Sequence, residues 1–239
     1  MPPFKEIYGD DHKVALSNYQ TYFAVPRKIL QRLLREIPGK LIWYPMWRIE
    51  YKSKRKKYDF LFEAFLARKI KKKDIYVICL RNPKDLEFSD TMPMKGLIIE
   101  PIVSPEDIID ELINFRSELS DMIDELYQDV SAVQKRLVID SLLFLSQPSS
   151  LAEADAMTYL YNTLLYAVEI LDRIGIKKNL KVNIIESNLV YYPIYISEDF
   201  SQVFEPALKD EGSKSLTELF RNADVKKALL EKILSTTFR

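Results

Sequence analysis

The sequence predicts an α+β protein: antiparallel β-meander and hairpin segments, with a possible duplication among them, a long inserted antiparallel helical hairpin, and a C-terminal helix. Three observations point to this class. Residues 41–80 alternate in the period-2 manner of strands and are punctuated by polar turns. Residues 105–175 carry apolar residues at helical spacing. LIWYPMW (41–47) returns as LVYYPIY (189–195), with Phe62-Glu63 echoed downstream by Phe204-Glu205. Seven matched positions suggest duplication, although aromatic strands also converge on such patterns.

Each element follows from its residues. In 17–37, Val25, Ile29, Leu30, Leu33, Leu34 and Ile37 recur at three and four, Pro26 suits a first helical turn, and Pro38-Gly39 stops the helix. Residues 41–51 place Leu41, Trp43, Trp47, Ile49 and Tyr51 on one strand face, which reads as core rather than as a base-stacking platform. Pro45 favours an edge or a bulge, because it lacks a ladder donor. The basic turn 52–57, a returning strand 58–69, a second basic turn 69–73 and a strand 74–80 complete the meander, and 95–103 offers a fourth strand.

Ser104-Pro105-Glu106-Asp107 has the marks of a helix start, with a capping hydroxyl, proline at the first position and acids in the first turn. Ile109, Ile123, Val130, Leu137 and Phe144 fall at multiples of seven, and Leu112, Leu119, Leu126 and Val133 form a second such series. Arg116 and Asp140 interrupt the heptads. SQPSS (146–150) ends this helix, and a second spans 151–174 before Gly175. The arms would be roughly 60 Å and 35 Å long, so the excess of the first requires another partner. LKVNII (180–185) and LVYYPIYI (189–196) read as β segments, and 215–234 as the terminal helix, in one piece or two. The expected organisation is a basic helix and β-meander over residues 1–103, an acidic helical hairpin over 104–175, and a β-hairpin with a terminal helix over 176–239 that packs with the first.

The net charge is zero, but it is unevenly distributed. Residues 1–84 hold 20 Lys/Arg and 8 Asp/Glu, and residues 85–175 hold 5 and 18. A basic β region is thus joined to an acidic helical region. With 5 Gly, 1 Cys and 1 His, the chain lacks the clustered glycines of phosphate-binding loops and the ligands of a structural zinc site. Cys79 lies in an apolar run and His12 in a polar turn, so neither suggests a nucleophile or its base. No cofactor is expected. The lone cysteine and the absence of an 18-residue apolar run fit a cytoplasmic protein with no membrane span. Scarce Cys and His with abundant Ile, Lys, Glu and Tyr is also a thermophile-like composition.

Two binding surfaces are expected. One is the helix seam Ile109, Leu112, Leu119, Ile123, Leu126, Val130, Val133 and Leu137, serving self-association or partner docking. The other, for nucleic acid or another polyanion, is Lys52, Lys54, Arg55, Lys56 and Lys57 with Lys69, Lys71, Lys72 and Lys73. The two basic turns would lie roughly 35 Å apart at opposite ends of one strand. The function expected is therefore that of a non-enzymatic interaction or scaffold protein. The alternative is a metal-dependent nuclease built on Glu50-Tyr51-Lys52, an E-x-K pattern whose usual upstream Asp is missing, while Asp59 and Glu63 follow.

Overall fold

A computed structural model of the chain describes residues 16–65, 79–81, 83–142, 148–198, 201–207, 227, 230 and 231. The strand expected at 74–80 therefore lies largely outside the described residues, as does most of the expected C-terminal helix. The fold is α+β and forms two compact units, Met1–Ile109 with Asn183–Arg239, and Asp110–Val182.

The first unit is a mixed, mostly antiparallel eight-stranded sheet. Its strands are β1 (Thr21–Ala24), β2 (Gly39–Ser53), β3 (Lys56–Glu63), β4 (Cys79–Arg81), β5 (Phe88–Ser89), β6 (Leu97–Ile98), β7 (Val182–Ser197) and β8 (Val203–Phe204). The order is β4-β3-β2-β7-β1-β5, with β6 also on β2 and β8 also on β7. Helix α1 (Lys28–Glu36) joins β1 to β2 and buries Leu30 and Leu33. Pro26 stands before this helix rather than inside it, and the preceding residues form β1.

Two expectations are corrected here. The separate strands expected at 180–185 and 189–196 are one continuous strand, Val182–Ser197. Glu186-Ser187-Asn188 contains neither Gly nor Pro to turn the chain, and Asn188 Nδ2 donates to Glu186 Oε1 at 2.8 Å along an extended backbone. The hairpin partner of β7 is β8, with Tyr195 facing Phe204, as the echo of Phe62-Glu63 in Phe204-Glu205 suggests. Within 95–103, only Leu97–Ile98 forms a strand, and it runs parallel to β2 instead of extending the meander.

The central strand β2 is buried on both faces along its first half. Leu41, Trp43, Trp47, Ile49 and Tyr51 fill one side, and Ile42, Tyr44 and Met46 the other. Trp43 and Trp47 are fully enclosed, and their indole N–H groups donate to Met94 O at 3.1 Å and Val103 O at 2.7 Å. Burying one such ring removes roughly 200 Å² from water. That is worth about 5 kcal/mol at 25 cal/mol/Å², before ordering entropy. These rings are core, with no face left for a stacked base. Pro45 sits in this central strand, where Ala64 N–H donates to its carbonyl at 3.2 Å.

The pairing around β2 is repeated around β7. Trp47 faces Phe62 across an antiparallel pair, and Tyr195 likewise faces Phe204. Ile42 and Trp43 pair in parallel with Leu97 and Ile98, while Val190 and Tyr191 pair in parallel with Tyr22 and Phe23. Ile102 N–H donates to Ala64 O at 3.0 Å, and Arg27 N–H donates to Pro206 O at 2.8 Å. One buried cluster holds both members of each corresponding pair: Ala24 and Ile99, Ile42 and Val190, Tyr44 and Tyr192, Met46 and Ile194, Phe65 and Ala207. The short first strand of each β-α-β-β series thus lies on the long strand of the other series.

Tyr44 and Tyr191 in this unit resist ionisation. Burial and the neighbouring Glu63 push the Tyr44 phenol well above its ordinary value, and burial with Glu100 nearby pushes Tyr191 up to about 12. A raised folded value means that the stabilisation is complete below pH 10 and is lost as pH rises from there towards 12 and above. Alkaline unfolding is therefore expected to begin above pH 10, with part of the tyrosinate absorbance appearing only as the protein unfolds. If all 14 tyrosines titrated as one class near pH 10 with the fold intact, the expectation would fail.

The second unit is helical. Helix α2 (Pro105–Leu142) starts in the sheet unit, where Asp107 N–H donates to Ser104 Oγ at 3.1 Å in an N-cap. It is about 57 Å long and α3 (Pro148–Arg173) about 39 Å. Pro148 opens α3 instead of marking a loop, as its fixed φ and missing N–H permit at a first helical position. Gly175, at φ 80°, closes α3 in a left-handed conformation, with Ile176 N–H returning to Leu171 O at 2.9 Å. Asp172 beside Arg116 and Tyr161 beside Tyr127 set α2 and α3 antiparallel. The unmatched length of α2 therefore lies at its start, and the first five residues of that stretch, Pro105–Ile109, belong to the sheet unit.

Candidate functional site

The basic hairpin is built by β2 and β3. Ser53 faces Lys56 and leaves Lys54-Arg55 as a two-residue turn. Lys52, Lys54, Arg55, Lys56 and Lys57 are all exposed. Tight hairpin turns favour Gly or Asn where a central residue needs positive φ, and Lys54, the first central residue here, is held at φ 54°. Lys52 stands directly opposite Lys57, a like-charge cross-strand pair, and such pairs destabilise a hairpin. Lys57 Nζ meets Glu50 Oε1 at 2.7 Å, which raises the lysine pKa. Lys69, Lys71, Lys72 and Lys73 lie outside the described residues.

Beneath the turn, the second face of β2 changes from apolar to charged at Arg48. The guanidinium donates to both Asp59 oxygens, from Nε at 3.0 Å and Nη2 at 2.7 Å, and lies 5.6 Å from the Phe88 ring centroid. The bond to Asp59 is the main cause that raises its pKa. Tyr22, Arg48, Glu50, Phe88, Glu186, Asn188 and Val190 line an open cavity of about 210 Å³. Sequence reasoning missed this group, which four separate strands assemble. The only local signal was the change from Ile42, Tyr44 and Met46 to Arg48, Glu50 and Lys52 on one face.

For the nuclease alternative, Glu50 has Asp59 directly across from it. Both carboxylates are already engaged by cations, Asp59 by Arg48 and Glu50 by Lys57. Among the described residues, no group of three or more His, Cys, Asp or Glu side chains is placed to hold a metal ion. Cys79 opens β4 opposite Phe62, and His12 lies outside the described residues.

Of the helix seam, Ile109, Leu112 and Leu119 are buried, and Ile123 and Leu126 are partly buried. Val130, Val133 and Leu137 lie on α2, in a stretch whose side chains are outside the described residues. Arg116, the interruption in the heptads, is matched by Asp172 of α3 at 3.1 Å, with Arg116 only 12% exposed. That half of the seam is thus used within the chain. Elsewhere, the same unit exposes large apolar side chains: Met122 and Tyr127 on α2, and Tyr159, Leu165 and Tyr166 on α3. Among the described residues, no helix is long and apolar enough to cross a membrane.

Comparison with family models, with curated proteins and with solved structures finds no match to this chain.

Proposed function

We propose that the chain is a non-enzymatic intracellular interaction protein, whose helical hairpin docks a protein partner or a second copy and whose basic β-hairpin contacts a polyanion. The observation that carries the docking reading is the set of exposed aromatic side chains on α3, with Tyr159 76% and Tyr166 59% exposed. Two turns apart, they share one helix face. Tyr gives large contact area at low entropic cost, and exposed apolar patches of this kind favour interfaces. The acidic character of residues 85–175 adds a preference for a basic partner surface. Engagement of Glu50 and Asp59 by cations supports the binding reading over the nuclease one.

Sedimentation tests the docking face. At micromolar concentration the wild-type chain is expected to sediment as a dimer or larger. Tyr159→Ser with Tyr166→Ser is expected to shift it to monomer, weakening association at least tenfold with unchanged helical circular dichroism. A monomeric wild type would remove self-association and leave a different protein as the occupant. A variant that associates like the wild type would place the contact elsewhere.

A further inference from the structure

The two similar hairpins act as controls for one another. Past Tyr195 and Phe204, the second is paired for two further steps, Ile196 with Val203 and Ser197 N–H donating to Gln202 O at 3.1 Å. Past Trp47 and Phe62, the first continues through six further pairs to Ser53 and Lys56. At about 3.4 Å per residue, the four additional pairs lengthen the ribbon by roughly 14 Å. The extra length ends in Lys52–Lys57, five cations and one serine. Closing a hairpin at this place in the fold does not require that length, as β7 and β8 show.

The added tip also runs against its own stability. Lys54 occupies a left-handed conformation that a glycine or asparagine would adopt at less cost. Lys52 repels Lys57 across the ribbon. Among the described residues, Lys57 alone of the five cations has a carboxylate partner. A tip that is dispensable to the fold, strained at its turn and self-repelling gains most from a ligand that brings negative charge.

We infer that the β2–β3 tip is an added contact for the phosphate backbone of nucleic acid, read without base specificity; this rests on the polyanion reading in the proposed function. Residues 52–57 offer no apolar side chain to anchor a protein interface or to enter a lipid surface, whereas a phosphate backbone requires only clustered cations. Two strands about 4.8 Å apart also fit a groove about 12 Å wide. With Lys57 partly committed to Glu50, about four phosphates are neutralised, and log affinity against log salt has a slope of about −4.

The test uses the full chain with a labelled random-sequence DNA duplex, a structured RNA, heparin, and vesicles of anionic lipid, titrated at several salt concentrations. The key variant combines Lys52→Thr, Lys54→Gly, Arg55→Ser and Lys56→Thr, which keeps the ribbon, relieves the positive φ at position 54 and removes the repulsion. It is expected to lose at least tenfold in affinity for DNA or RNA and to flatten the salt slope towards −1, while its thermal midpoint equals or exceeds that of the wild type. Lys54→Gly alone is expected to raise the midpoint and keep most of the affinity. Undiminished binding by the fourfold variant, or a variant less stable than the wild type, would overturn the inference. Binding to heparin or vesicles but to neither nucleic acid would overturn it and leave the polyanion reading standing. No binding to any of the four would remove both.

Discussion

Glu63→Ala is expected to destabilise the protein by about 3–5 kcal/mol, a large share of the roughly 5–15 kcal/mol typical of a folded domain. Glu63 ends β3 and is fully buried. Its Oε1 accepts the Tyr44 hydroxyl at 2.5 Å and the Phe65 N–H at 2.6 Å. Truncation removes the acceptor of two buried donors, each costing about 1–3 kcal/mol when unmet, and leaves a void where the side chain lay. Glu63→Gln keeps an acceptor oxygen in place and is expected to cost only about 1–2 kcal/mol. Urea unfolding of the three proteins checks this order. If the Ala and Gln variants were equally stable, the acceptor role would be refuted.

How much of this was legible in the sequence depended on how local the cause was. Helix α2 could be read from Ser104-Pro105-Glu106-Asp107 because a cap is made by neighbours in the chain, and the heptads located its buried side as far as Leu126. The basic tip was equally legible, since exposure of consecutive lysines needs no distant partner. Strand β1 was not, and β6 was legible as a strand but not in its pairing: each is short and pairs with a parallel strand far away in sequence, Tyr22 with Val190 and Leu97 with Ile42. The cavity at Arg48 stayed hidden for the same reason, since β1, β2, β5 and β7 each supply some of its lining. Glu63 did leave a trace, as a lone acid in the apolar run FLFEAF, but nothing local pointed to Tyr44 as its partner. The echo of LIWYPMW in LVYYPIY carried more than its seven letters showed, because the two segments became the adjacent central strands and drew matching partners.

That adjacency makes Gly39→Ala the second change with a large expected effect. β2 and β7 lie side by side at the centre of the sheet. Around the start of β2, Glu198 N–H donates to Pro38 O at 3.0 Å and Tyr195 Oη donates to Ile37 O at 2.6 Å. A Cβ on Gly39 would collide with the backbone carbonyl of Ile196 and press on the Tyr195 ring at 3.0 Å. No rotamer moves a carbonyl in a paired strand, so the two central strands must separate. The expected cost is about 3 kcal/mol or more, at the upper end for overpacking. For a chain of this size, that lowers the thermal midpoint by roughly 6–12 °C. Gly96→Ala provides the contrast, because its added Cβ would meet Trp43 Nε1 at 2.8 Å and Leu41 O at 3.0 Å. Some of that obstruction is a side chain, so Trp43→Phe is expected to relieve some of the Gly96→Ala cost, whereas Tyr195→Phe is expected to leave the Gly39→Ala cost in place. Rescue of Gly39→Ala by Tyr195→Phe would show that the ring, rather than the backbone contact between β2 and β7, sets the limit at this seam.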